Sequence, residues 1–108
     1  MDTITPHRKP SQIEKNIILS EIELYPFFHN ETVQYCHISK VPFSVFKEGG
    51  SFVVFADNRL MARRPTKEKA FKEAEEIRKG YALNCLWEYC TGRNKPKVDE
   101  ILSNILRR

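Results

Sequence analysis

Residues 51–80 constrain the fold more than any other part of this chain. The run Phe52-Val53-Val54-Phe55 has the densest β-forming composition, and Asp57-Asn58 is typical of a two-residue hairpin turn. Pro65 then ends the second strand, and Thr66 is a suitable N-cap for the helical pattern behind it. The stretch therefore predicts a β-hairpin that leads directly into a helix.

The segment before this hairpin predicts more strands of the same sheet. Strands are expected over 43–47, 51–56 and 59–64, and the alternation over 32–39 indicates a fourth strand ahead of them. Short turns between consecutive strands give an antiparallel meander. The fold class is therefore α+β, with a three- or four-stranded antiparallel sheet packed on one face by the capped helix.

Helices are expected at both ends of the chain as well. Ser11 and Glu14 have the spacing of a capping box, which favours a helix up to Pro26, although the isoleucines there also allow a strand over 16–24. After the hairpin, a helix over 67–79 is expected to end at Gly80. A second helix over 81–89 and a short amphipathic final helix complete the prediction.

The composition indicates one small globular domain. At 108 residues the chain can build a single hydrophobic core, and we expect a flexible basic tail over 1–10 and one α+β domain over 11–108. With 18 basic and 14 acidic residues, the net charge of +4 permits an anionic partner without requiring one. Three cysteines without a framework spacing, and no signal-peptide or membrane-spanning pattern, favour a cytoplasmic location.

The two-residue turn also predicts the strand register. It places Ala56 opposite Arg59 and Phe55 opposite Leu60. It further places Val54 opposite Met61, Val53 opposite Ala62 and Phe52 opposite Arg63. One face of the hairpin is then apolar, should meet the helix and should bury Phe55. That face holds Val53, Phe55, Leu60 and Ala62. The opposite face combines apolar and basic side chains, namely Phe52, Val54, Met61, Arg59 and Arg63, and it is either covered by the flanking helices or free to bind a partner.

Residues 45–80 resemble the three-strand-plus-helix domains of the AP2 and integrase amino-terminal type. The resemblance rests on Phe52-Val53-Val54-Phe55, the turn, and Thr66-Lys67-Glu68-Lys69-Ala70. It implies a sheet that enters the major groove of DNA, with Arg59, Arg63 and Arg64 touching bases and phosphates. The order of elements is also similar to that of the double-stranded-RNA-binding domain. Because the second strand is nearly all apolar here, the resemblance does not extend to membership of either family.

Two functions follow from these patterns. The first is a small non-enzymatic, regulatory protein that binds nucleic acid, most plausibly DNA, through the hairpin and a basic loop; its contact residues would be Arg59, Arg63, Arg64, Arg93, Lys95 and Lys97. The alternative is a small protein-binding module, or an inhibitor from a phage or other mobile genetic element that acts on a host enzyme or complex. Its interface residues would be Phe52, Val54 and Met61.

The chain offers little that points to catalysis. Cys36, His37, Cys85 and Cys90 could ligate zinc, but their spacing lacks the close cysteine pair of compact structural sites. Gly49-Gly50 lacks the following helix that a phosphate-binding loop needs. We therefore expect no metal, no cofactor and no enzymatic activity.

Overall fold

The structure is a computed structural model, and it describes residues 8–27, 33–93 and 96–107. Its elements are α1 (Gln12–Glu23), β1 (Val33–Tyr35), β2 (Pro42–Glu48), β3 (Ser51–Ala56), β4 (Arg59–Arg64), α2 (Lys67–Thr91) and α3 (Pro96–Leu106). The strands form one antiparallel sheet in the order β1-β2-β3-β4, and α2 packs on it. The predicted α+β fold, including the fourth strand, is confirmed.

The hairpin turn has the predicted geometry. Asp57 and Asn58 both have positive φ, at 54° and 64°, as a turn matching the twist of the flanking strands requires. The fourth strand is shorter than the alternation over 32–39 predicts. β1 ends at Tyr35, and the chain then turns, with the Lys40 N–H donating to the Cys36 carbonyl at 2.8 Å.

A β-bulge changes the register in the middle of the hairpin. Phe55 lies opposite Leu60 as predicted, but Val54 lies opposite Ala62, so Met61 is an extra residue in β4. From Val54 outward, every predicted pairing is wrong by one position. The predicted pairing is continuous, and the single extra residue exchanges the faces of β4 beyond Met61.

In β3 the side that meets α2 is the opposite of the predicted one, whereas Ala62 of β4 packs against the core on the helix side, as predicted. Val54 and Ala56 are fully buried in the core with Phe71 and Ala74 of α2. Phe55, which was expected under the helix, points away from α2 because side chains alternate along a strand. The prediction that Phe55 is buried beneath the helix is therefore wrong.

The first helix begins with the predicted capping box. The Ser11 Oγ accepts from the Glu14 N–H at 3.1 Å, and the Glu14 carboxylate accepts from the Ser11 N–H at 2.9 Å. These reciprocal bonds resolve the alternative of a strand over 16–24 in favour of a helix. Arg8, although it falls in the predicted tail, binds the Glu14 carboxylate through both Nη atoms at 2.7 and 2.8 Å.

This arginine pair makes stability depend on pH. Hydrogen bonding from Arg8 is the main cause that lowers the pKa of Glu14 from 4.5 to about 2. The stabilisation is therefore present above pH 4.5 and is lost as the pH falls towards 2. We expect Glu14→Gln, which keeps the capping box but loses the charge, to lower the free energy of unfolding near neutral pH by about 1 kcal/mol at this partly exposed site. Urea titrations should show the difference from wild type narrowing below pH 4.5; a constant difference would contradict the assignment.

The second helix is longer than the sequence suggests. Instead of ending at Gly80, it continues to Thr91 and ends at Gly92, which has a left-handed φ of 78°. The apolar stripe explains this, because Ala82, Cys85 and Leu86 continue the buried side that Ala74 belongs to. Burial of that side outweighs the roughly 1 kcal/mol that an interior glycine costs. The two helices predicted over 67–79 and 81–89 are thus one.

Gly80 offers a stabilising substitution. It is exposed, its φ is not in the left-handed region, and a Cβ there would meet no atom within 4 Å. We expect Gly80→Ala to raise the free energy of unfolding by about 1 kcal/mol, because alanine restricts the unfolded chain and favours the helix. A denaturant titration would measure the gain. Destabilisation by this change would mean that the helix does not run straight through residue 80.

A buried arginine joins α2 to the carboxyl-terminal end of α1. Arg78 is only 1% exposed, and its guanidinium donates to the carbonyls of Ile22, at 3.0 Å, and Tyr25. It also pairs with Glu75 at 2.6 Å and lies 4.3 Å from the centre of the Phe27 ring. Because the last turn of α1 contains no basic residue of its own, Arg78 supplies the cation that its helix dipole favours.

Candidate functional site

The side of the sheet opposite α2 is a candidate interaction surface, here called the outer face. One row of cross-strand neighbours consists of Val33, Ser44, Phe55 and Leu60, and the next consists of Phe46, Val53 and Arg63. Tyr35 lies on the same side as Val33, two residues along β1. α1 and α3 pack on α2 and on each other, so within the described residues no helix covers this face.

Four side chains of the outer face are apolar or aromatic and exposed, while Val53 of the same face is fully buried and Phe55 is half-buried. Val33, Tyr35 and Leu60 are 52%, 65% and 54% exposed. The Phe46 and Phe55 rings stack with centroids 5.5 Å apart and planes 16° from parallel, while Phe46 remains 38% exposed. Such a preformed aromatic pair loses little conformational entropy when a partner covers it.

The electrostatics of the outer face are nearly balanced. Arg63 forms an ion pair with Glu48 at 2.9 Å, and both side chains are about half exposed. Arg59 lies opposite Ala56 and so belongs to the α2 side of the sheet; it is exposed at the start of β4 and has no ion-pair partner among the described residues. The face therefore presents apolar and aromatic groups with a charged rim rather than a continuous basic surface.

The basic residues predicted to bind nucleic acid do not form one cluster. Arg64 lies on the α2 side of the sheet and pairs with Glu73 at 2.6 Å, so it faces away from Arg63. Arg93 and Lys97 are exposed beyond the carboxyl-terminal end of α2 and at the start of α3. Tyr81 of α2 packs beside the sheet, and the helical rise puts Arg93 about 18 Å further along. Lys95 lies outside the described residues.

The residues predicted for a protein interface lie on the α2 side. Val54 is fully buried and Phe52 packs partly buried against the core, so Val54 cannot touch a partner without unfolding. Met61 is 42% exposed and lies beside Ile77 and Tyr81 of α2. The exposed residues of the outer face were not predicted as a site. Alternation in β2 does place Phe46 with Ser44, but choosing the exposed side required knowing which side of β3 meets α2.

A second polar site lies where α1, β1 and α2 meet. His37 is 3.5 Å from the carboxylate of the buried Glu21, and its ring lies 4.6 Å from that of Tyr25. Burial lowers the pKa of His37, with Glu21 opposing the shift. In the described part of the chain, however, no group of three or more histidine, cysteine or acidic residues could hold a metal ion, and this includes Cys36, Cys85 and Cys90. The absence of a metal requirement stays a prediction.

Comparison with known proteins yields no match, whether with family models, curated proteins or solved structures. Among the described residues, no helix combines the length and the apolar character needed to cross a membrane. The geometry of the chain itself is therefore the basis for a functional proposal.

Proposed function

We propose that this chain is a small, non-enzymatic protein-binding module that docks a partner protein on the outer face of its sheet. The observation that carries the proposal is the accessible apolar row from Val33 through Phe55 to Leu60, next to the stacked Phe46. Exposed apolar patches of several hundred Å² are typical of interaction sites.

The size of the face fits a modest interface. Three strands of six or seven residues and the three-residue β1, about 4.8 Å apart with about 3.3 Å per residue, give an area on the order of 350 Å². A stable complex buries about 800 Å² on each partner. The partner must therefore either reach over the rim or bind transiently. Arg63 and Glu48 at the rim can each pair with a charged group of the partner instead of with each other, and neither charge is then left buried and unpaired.

Quantitative affinity capture from a cell lysate tests this function. The bait would be the full chain, its outer-face variant Phe46→Ser/Leu60→Asp, and the control Lys97→Ala at the start of α3. We expect the wild type and the control to retain a protein that the outer-face variant does not retain. Once purified, that protein should bind the wild type and the control more tightly than the outer-face variant. Equal binding of that purified protein to all three baits would exclude the outer face as the docking surface.

Nucleic-acid binding remains the second candidate, supported by the exposed aromatics. Tyr35 and the Phe46–Phe55 stack lie on the same face as Arg63, with Arg59 nearby on β4, and sheet aromatics flanked by arginines can stack unpaired bases. This arrangement suits single strands better than duplex DNA, because the basic residues that could span phosphates are dispersed.

Salt dependence distinguishes this candidate from the first. If phosphates are bound, the affinity for a single-stranded oligonucleotide should fall with salt at a slope near −0.7 per phosphate, against about −0.9 for duplex DNA. Arg59→Ala should reduce the slope by about one contact. Fluorescence anisotropy between about 50 and 200 mM salt would measure it. No salt-sensitive binding to either probe would reject the candidate.

The proposed location is the cytoplasm. Cys36 and Cys90 are buried free thiols, and burial raises the pKa of Cys90, which keeps that thiol protonated and unreactive. This agrees with a reducing compartment.

A further inference from the structure

The edge strand β4 borders a groove that the outer face does not include. β4 is the last strand of the sheet, so in the described part of the chain no strand pairs with its outer edge. Such an edge leaves every second N–H and C=O free of the sheet, ready to pair with another chain. The bulge directs Met61 towards α2, where it forms one wall of the groove.

The groove between β4 and α2 is apolar and open. It has a volume of about 380 Å³ and is lined by Met61, Ile77, Gly80, Tyr81 and Asn84. The space beside Gly80 is open, because a Cβ there would meet no atom within 4 Å. An interior glycine costs a helix about 1 kcal/mol relative to alanine, so the space beside Gly80 is kept at the expense of stability.

A basic cleft lies next to this groove, towards the start of α2. It has a volume of about 300 Å³ and is lined by Arg64, Lys69, Lys72, Glu73 and Glu76. Glu73 is paired with Arg64 and Glu76 with Lys79. Both carboxylates are thus neutralised, whereas Lys69 and Lys72 have no ion pair within residues 8–27, 33–93 and 96–107. The cleft therefore has an excess of positive charge.

We propose that β4 and these two cavities bind an extended peptide segment of a partner protein, which adds to the sheet antiparallel to β4. Its backbone pairs with the free edge, an apolar side chain enters the groove at Gly80, and an acidic side chain meets Lys69 and Lys72. Strand addition of this kind takes its affinity from backbone hydrogen bonds and its specificity from pockets for alternate side chains.

The geometry fixes the order of the recognised side chains. β4 runs towards the start of α2, so an antiparallel peptide passes the basic cleft before the apolar groove. Eight helical residues separate Lys72 from Gly80, which corresponds to about 12 Å. Four residues of a strand span about 13 Å, nearly the same distance, and their ends point to the same side. The preferred sequence is therefore an acidic residue, three residues of any type, and then an apolar residue.

Selection of random displayed peptides of about 12 residues on the full chain tests this proposal. Enriched peptides should contain an acidic residue and an apolar residue separated by three residues of any type. Synthetic copies should bind at least tenfold more weakly to Gly80→Leu, which fills the groove, and to Lys69→Glu/Lys72→Glu, which reverses the charge. Phe46→Ser, a variant of the outer face, should leave peptide affinity unchanged, so this result does not depend on the proposed function. Circular dichroism would confirm that each variant is folded.

Several outcomes would overturn strand addition at β4. They are the absence of enrichment, enriched peptides that lack the acidic residue, unchanged affinity of Gly80→Leu, and loss of affinity in Phe46→Ser. Self-association of the chain that Gly80→Leu abolishes would make a second copy the occupant instead. Amide exchange adds an independent measurement, because peptide binding must slow exchange in β4 and leave β1 unaffected.

Discussion

Replacing Arg78 by methionine is expected to lower the free energy of unfolding by about 3–5 kcal/mol, the range found when one partner of a buried charged pair is removed. The change leaves the Tyr25 carbonyl without its donor, removes a bond to the Ile22 carbonyl, and unpairs Glu75. It also removes the cation packed on Phe27. Since the free energy of unfolding of a domain of this size is only about 5–15 kcal/mol, the substitution would remove much of its stability.

A second arginine provides the matched control. Arg64 pairs with Glu73 at the same 2.6 Å, but its side chain is 39% exposed whereas that of Arg78 is 1% exposed. Arg64→Met should therefore cost less than about 1 kcal/mol, as exposed ion pairs do. The loss in the free energy of unfolding for Arg78→Lys should lie between those of the two methionine variants, because an ammonium cannot reach both carbonyls and the carboxylate. Urea titrations of the three variants would measure these losses in the free energy of unfolding. Equal losses for Arg78→Met and Arg64→Met would show that burial does not determine how much the arginine contributes to stability.

Local signals in the sequence account for the parts of the fold that were predicted correctly. The capping box at Ser11 and the Asp57-Asn58 turn each act over about four residues, and both form as expected. Gly80 is the local signal that failed. Whether a glycine ends a helix depends on the burial of the turns beyond it, and Ala82 and Leu86 are buried by contacts with distant parts of the chain.

The candidate site could not be predicted from the turn alone, because packing decides which side of β3 meets α2 and a bulge shifts the pairs beyond Met61. The turn sets the pairs next to it, and Met61 then shifts every pair beyond. Nothing in the composition of β4 distinguishes a bulge at Met61 from continuous pairing, since Leu60, Met61 and Ala62 are all apolar. The role of Arg78 could not be predicted either, because a basic residue in a charged helix is normally exposed and its two carbonyl acceptors lie more than fifty positions away.

Val54→Asp is expected to prevent folding, at a cost of more than about 4 kcal/mol, because Val54 is fully buried in the core and the carboxylate would have no compensating partner. Leu60→Asp, on the same hairpin, should change stability by less than about 1 kcal/mol, because Leu60 is 54% exposed on the outer face. The uninterrupted register makes the opposite prediction, with Leu60 beneath the helix. Thermal unfolding of the two variants, monitored by circular dichroism, distinguishes these predictions.

The milder change Val54→Ala keeps this comparison measurable if Val54→Asp yields no folded protein. It should cost about 2 kcal/mol through lost packing, whereas Leu60→Ala should cost only a few tenths. A loss at Leu60 greater than that at Val54 would place Leu60 and its cross-strand neighbour Phe55 on the helix side. Since the docking surface requires both residues on the side away from α2, that result would remove it.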